Sequence, residues 1–180
     1  MHTLILPGWQ SSGPDHWQSR WQALHGYVRV EQHDWLRPLR GDWMMRLDET
    51  LLALPAHESV GLVAHSLGCL LVAAWASHSR LTARVRSALL VAPGDAERPE
   101  LQPLLPSWSP IPLSRLPFGS LLVASRNDPY CSLDRAQALA SAWGSGFVDL
   151  GERGHINAGS SLGDWPDGHS LLCQLQSANP

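Results

Sequence analysis

Val60-Gly61-Leu62-Val63-Ala64-His65-Ser66-Leu67-Gly68 is the stretch on which the reading of this chain turns. Val60 to Ala64 is a short, continuous apolar run of the kind a fully buried strand needs. It leads without a linker into His65-Ser66-Leu67-Gly68, and from Leu67 to His78 the apolar residues continue at helical spacing. A strand, a sharp turn carrying a serine and a helix are the context of a nucleophile elbow, where the turn strains the serine backbone and exposes its hydroxyl. The small residues two before and two after the serine, Ala64 and Gly68, leave room for strand and helix to close on each other, with Ala64 standing where the usual pattern has glycine. At the head of the helix, the Leu67 amide is the expected donor to an oxyanion formed at the serine, aided by the helix N-terminal dipole. An ordinary capping serine after a buried strand would give the same string. The rest of the chain has to decide.

Outward from this point the same alternation repeats. Apolar β-rich runs at Thr3 to Leu6, Tyr27 to Gln32, Val60 to Ala64, Val85 to Ala92, Ser120 to Ser125 and Phe147 to Leu150 predict six strands. Asp15 to Leu24, Asp42 to Leu54, Leu67 to His78, Leu133 to Trp143 and Pro166 to Leu175 predict helices, with Ser132 as N-cap of the fourth. Strands alternating with helices imply a parallel sheet covered on both faces, a three-layer α/β/α sandwich. The segment Pro93 to Pro117 carries seven prolines and little periodicity, so it is expected to be a long irregular connection able to fold over the site. Neither an internal repeat nor a linker-like shift in composition divides the chain, so residues 1–180 are read as one domain. No insertion is long enough for a separate cap.

A serine hydroxyl is a weak nucleophile at neutral pH and needs a base within hydrogen-bond reach and a carboxylate to orient that base. In this type of fold the chain order is serine, acid, histidine. Downstream of Ser66, the strand ending at Ser125 is followed by Arg126-Asn127-Asp128-Pro129, and the next strand by Gly151-Glu152-Arg153-Gly154-His155. Asp128 and His155 therefore sit at the carboxyl edge of the sheet with Ser66, where open α/β sheets bind ligands. Asp95, after the strand that follows the elbow, reaches the same edge and is the rival acid. His65 adjoins the serine, but its side chain should point away from the hydroxyl; His169, beyond a helix start, reads as a surface residue. The second oxyanion donor is expected in the loop after the first strand, Pro7-Gly8-Trp9-Gln10, from the amide of Trp9, whose indole would then wall the pocket.

Composition narrows the partners. The chain has 180 residues, 44% of them hydrophobic, enough for one sizeable core. The formal net charge is -3 with Lys and Arg scattered, so there is no basic footprint for nucleic acid or an anionic membrane. The beginning, Met1-His2-Thr3-Leu4-Ile5-Leu6-Pro7-Gly8, lacks the basic start and long apolar run of a signal peptide, and a cytoplasmic location is expected. Cys69, Cys131 and Cys173 have no metal-ligand spacing and are expected to be thiols. The nine tryptophans are read as core and rim fillers except where one lies beside a catalytic loop.

Four runs, spread over almost the whole chain, resemble the small serine hydrolases related to retinoblastoma-binding protein nine and its bacterial homologues. They are Leu6-Pro7-Gly8-Trp9-Gln10-Ser11-Ser12 with His16-Trp17; Ala64-His65-Ser66-Leu67-Gly68-Cys69; Ser125-Arg126-Asn127-Asp128-Pro129-Tyr130; and Gly154-His155-Ile156-Asn157 with Gly163-Asp164-Trp165-Pro166. The resemblance implies a minimal α/β-hydrolase fold without a cap, catalysis by Ser66, Asp128 and His155, and no metal or organic cofactor. Trp9, His65 and Trp165 are the pocket candidates. The expected activity is hydrolysis of a small carboxylic ester, or a related acyl compound, through an acyl-enzyme. The triad is blind to the leaving group, so thioesters, amides and peptides stay open, and a non-catalytic protein-binding module on the same fold is the alternative from another class.

Overall fold

The computed structural model describes residues 1–179. The buried run before the serine forms strand β3, Val60–His65, and helix α3, Leu67–Ala76, starts one residue after Ser66. The other strands are β1 (His2–Leu6), β2 (Val28–Arg29), β4 (Val85–Val91), β5 (Gly119–Ala124) and β6 (Gly146–Asp149). The other helices are α1 (Trp17–His25), α2 (Arg40–Ala53), α4 (Leu133–Trp143) and α5 (Pro166–Ala178). All five strand pairings are parallel, in the order β2-β1-β3-β4-β5-β6.

Parallel strands need both faces covered, and the alternation along β3 shows how this is met. Leu62 and Ala64 join an apolar cluster with Trp43 of α2, Trp75 of α3 and Leu139 of α4. Val63 faces the opposite cluster, with Trp17 and Trp21 of α1 and Leu172 of α5. Helix α3 is apolar all round, and every residue from Leu67 to Trp75 is buried. The result is the three-layer α/β-hydrolase architecture, with no cap added.

Chain order within the sheet creates the site. From β1 the chain steps outward to the edge strand β2, then returns across β1 to β3 and proceeds the other way. The direction of winding reverses between β1 and β3, so their carboxyl ends flank the crevice that a doubly wound sheet offers to ligands. Pro7-Gly8-Trp9 leaves one of these ends and Ser66 the other.

Several element bounds differ from the sequence reading, among them Trp17 rather than Asp15 at the start of α1, Ala76 rather than His78 at the end of α3 and Ala178 rather than Leu175 at the end of α5, and two differences have local reasons. The strand expected over Tyr27 to Gln32 pairs only at Leu4↔Val28 and Ile5↔Arg29. It has a single neighbour, and the Arg29 guanidinium is drawn off to Ser11, Ser12, Ser19 and Gln22. Helix α2 begins at Arg40, two residues before the expected start, because the Ser107 hydroxyl accepts from the Arg40 amide where a local cap is missing. The proline-rich connection is irregular as read, apart from a 3-10 turn at Pro106–Trp108. It is nevertheless fixed: the Trp108 indole N–H donates to Pro38 O at 2.9 Å, and the Ile111 amide donates to Glu97 at 2.9 Å.

Candidate active site

Ser66 has φ 55° and ψ -119°, a conformation that L side chains rarely adopt. The fold holds it there through parallel-sheet and turn contacts, with its own amide donating to Val91 O at 3.0 Å. Gly68 admits nothing larger, because a Cβ there would lie 2.3 Å from Leu6 O. Gly8 has the same constraint on the other side of the crevice: a Cβ would meet the Ser66 Cβ at 2.7 Å. The loop after β1 is therefore pressed against the serine. The amides of Trp9 and Leu67 flank it, and among the described residues neither donates to any protein acceptor.

The side chains of Ser66, His155 and Asp128 meet in this crevice. His155 Nε2 lies 2.9 Å from Ser66 Oγ, and His155 Nδ1 lies 3.0 and 2.9 Å from the two Asp128 carboxylate oxygens. An ionised carboxylate can only accept, so the imidazole proton sits on Nδ1 and Nε2 is free to accept from the serine hydroxyl. Only 9% of the His155 side chain and 3% of that of Asp128 are exposed, so the pair works in a medium that screens poorly. Asp128 is oriented by the Tyr130 amide at 2.9 Å, and the His155 loop is tied down by Asn127, whose Oδ1 accepts from the Gly154 amide at 2.7 Å. Tyr130 sets its ring edge-on to His155, with centroids 4.6 Å apart. The rivals are occupied elsewhere. Asp95 pairs with Arg135 at 3.4 Å, and His169 takes the Tyr27 hydroxyl at 2.8 Å while stacking on His25.

His65 does turn away from the serine hydroxyl, as its position on the turn requires. Its Nε2 lies 2.9 Å from the His155 backbone carbonyl, so it donates there as the neutral tautomer and pins the loop that carries His155. Burial, followed by the charges of His155 and His16, holds its pKa well below that of an ordinary histidine. His16 packs edge-on against it at 4.7 Å. His16 caps α1, its Nδ1 accepting from the Gln18 amide at 3.1 Å, and burial is the main cause that lowers its pKa to about 4. His16 carries no role in the sequence reading: with the helix expected from Asp15, it falls inside the first turn rather than at the N-cap, where Ser, Asp or Asn is usual.

A cavity of about 400 Å³ opens over Ser66, bordered by Trp9, His65 and His155 among others. Trp165 is not part of it, which corrects its assignment to the pocket. Trp165 is 4% exposed and packs against both Trp17 and Trp21 on the face of the sheet covered by α1 and α5. Trp9 does border the cavity, held by its indole N–H to Leu36 O at 2.9 Å. Cys69 and Cys131 are buried free thiols; burial raises the pKa of Cys69 strongly and that of Cys131 to about 12, which leaves neither reactive. No helix among the described residues is long and apolar enough to cross a membrane.

A model of the serine hydrolase family matches residues 3–174. A YdeN-like hydrolase from Pectobacterium atrosepticum is 30% identical over 99% of this chain and 92% of its own, with a TM-score of 0.84. The ydeN gene product of Bacillus subtilis, 21% identical over 98% of both chains, superposes with a TM-score of 0.77. A thermophilic esterase from Thermogutta terrifontis, 12% identical over 100% of this chain and 91% of its own, has the same fold with a TM-score of 0.68. A search of the curated proteins found no match. The resemblance drawn from the four sequence runs agrees with these findings: the chain belongs to the serine hydrolase family and has the α/β-hydrolase fold.

Proposed function

We propose that the chain is an esterase that cleaves small carboxylic esters through an acyl-enzyme on Ser66. The observation that carries this reading is the linear set of contacts from Ser66 Oγ to His155 Nε2 at 2.9 Å and from His155 Nδ1 to Asp128 at 2.9 Å. In the first half-reaction, Ser66 Oγ attacks the ester carbon while its proton passes to His155 Nε2. The carbonyl electron pair moves onto oxygen and is held by the Trp9 and Leu67 amides. The tetrahedral species collapses, its C–O bond breaks, and His155 hands the proton to the departing alcohol. Water then attacks the acyl-enzyme with His155 as base, and the acid leaves as Ser66 regains its proton. Asp128 fixes the tautomer and stabilises the imidazolium throughout.

The wall formed by the anchored proline-rich connection limits the room for an acyl group, which favours short chains. A series of p-nitrophenyl esters from acetate to decanoate tests the proposal. Turnover should be highest at the short end and disappear in Ser66→Ala. Turnover retained in Ser66→Ala, or absent for every ester while thioesters or anilides are cleaved, would overturn it.

A further inference from the structure

Among the described residues that border the cavity over Ser66 there is no Lys, Arg, Asp or Glu, and the walls fall into two unlike parts. One part is Leu70, Ala96 and Leu105, members of the larger apolar cluster, which also holds Leu67 and against which Trp9 packs. The other is His155, with Tyr130 edge-on to it, and Asn157, which follows Ile156 of the opposite cluster.

Leu101 stands apart from the other leucines of the cavity. The Leu105 amide donates to Leu101 O at 2.9 Å, a helical turn that sets both side chains on one face, while Leu104 between them is 54% exposed. Leu105 is buried in the larger cluster. Leu101 borders the cavity, is partly exposed and joins neither apolar cluster of the described residues. Its apolar surface therefore faces room that the protein does not fill, and an apolar group entering there gains by leaving water. The wall is braced from behind: Glu97 accepts from Arg135 at 2.5 Å and from the Ile111 amide at 2.9 Å.

Chemistry decides which part of an ester meets this wall. His155 must protonate the departing oxygen, so the alcohol lies on the side of His155, Tyr130 and Asn157. The carbonyl oxygen lies by the Trp9 and Leu67 amides, which leaves the acyl chain to Leu70, Leu101 and Leu105. A charge on that chain would lose its water and meet no counter-charge. Resting on the esterase reading of Ser66, we propose that these three leucines form the acyl site, that the substrates are esters of short, uncharged, apolar acids, and that Leu101 sets the length of chain accepted.

The test uses the full chain, with p-nitrophenyl butyrate and octanoate for length, and methyl 4-methylpentanoate and monomethyl succinate, alike in size, for charge. Leu101→Ala opens room for further methylenes, each worth about fourfold, so the octanoate-to-butyrate ratio of kcat/KM should rise by about tenfold or more. Leu101→Phe takes up room and should lower that ratio. Hexyl and ethyl acetate carry the same difference in length on the alcohol, and their ratio should not respond to Leu101→Ala. In the unaltered chain, with acid release followed in a pH-stat at neutral pH, methyl 4-methylpentanoate should be cleaved about a hundredfold faster than monomethyl succinate, or more. An octanoate-to-butyrate ratio unchanged in both variants, a hexyl-to-ethyl acetate ratio that moves in its place, or equal rates on the charged and uncharged esters would overturn the inference and leave the esterase reading standing. Cleavage of none of these esters by the folded protein would overturn the esterase reading, and the inference with it.

Discussion

Lowering the pH from 7 to 5 should destabilise this fold by way of His16, and His16→Asn should remove that part of the loss. His16 titrates at about 4 when folded and at the ordinary 6.5 when unfolded. The sign follows from proton binding: between these values the unfolded chain holds a proton that the folded chain does not, so stability falls as the pH falls below 6.5 and is unaffected above it. The full difference, 6.5 less about 4, corresponds to about 3 kcal/mol at about 1.4 kcal/mol per unit. Between pH 7 and pH 5, His16 alone accounts for about 2 kcal/mol of this. His65 shifts in the same direction, from burial first and then from its histidine neighbours, and adds a loss of the same sign in both proteins. Asn is a suitable replacement because it caps helices as well as any residue and does not titrate. Urea unfolding followed by tryptophan fluorescence at the two pH values gives the four free energies needed. The unaltered protein should lose about 2 kcal/mol more than His16→Asn. Equal losses in the two proteins would refute the assignment of His16 as a buried neutral histidine.

Three further outcomes are expected. Asp128→Asn should lower ester turnover by roughly 10⁴ by favouring the wrong tautomer, whereas Asp95→Asn should cost about tenfold or less, and steady-state kinetics showing the reverse would transfer the acid to Asp95. Gly8→Ala should lower kcat/KM by about 10², because the new Cβ must move away from Ser66 Cβ, 2.7 Å distant, and takes the Trp9 amide with it; an unchanged rate would show that this amide is not the donor. His65→Phe should lower kcat by roughly ten- to a hundredfold through loss of the donor to the His155 carbonyl, with partial recovery in His65→Gln, and equal rates in the two variants would limit His65 to filling space.

Where the chain announced itself, it did so through period and punctuation. Strand β3 up to Ala64 and helix α3 are apolar because each is covered on every side, and the elbow between them was legible for the same reason. Helix α4 was readable from its period and from Ser132, which caps it; the structure shows Gly144 ending it in a left-handed conformation. The choice between Asp128 and Asp95 was not decidable from order along the chain, since each follows a strand that ends at the same edge. Tertiary pairing separates them, with Arg135 taking one carboxylate and His155 the other. Trp165 was misplaced for a related reason: closeness to a catalytic loop in sequence does not say which side of the sheet a ring will fill. His16 was overlooked because its lowered pKa comes mainly from burial, and burial appears only when every neighbour is in place.

The proposed chemistry requires Ser66 to be an activated nucleophile, and covalent labelling reads that property directly. The folded protein, treated with a fluorophosphonate at neutral pH and digested, should carry the phosphonyl group on the peptide containing Ser66 alone. Ser66→Ala should take up none while melting like the unaltered chain, and His155→Ala should be labelled slowly, since the serine then lacks its base. Labelling at another residue, or none in a protein that is folded, would contradict the assignment of Ser66 as the nucleophile.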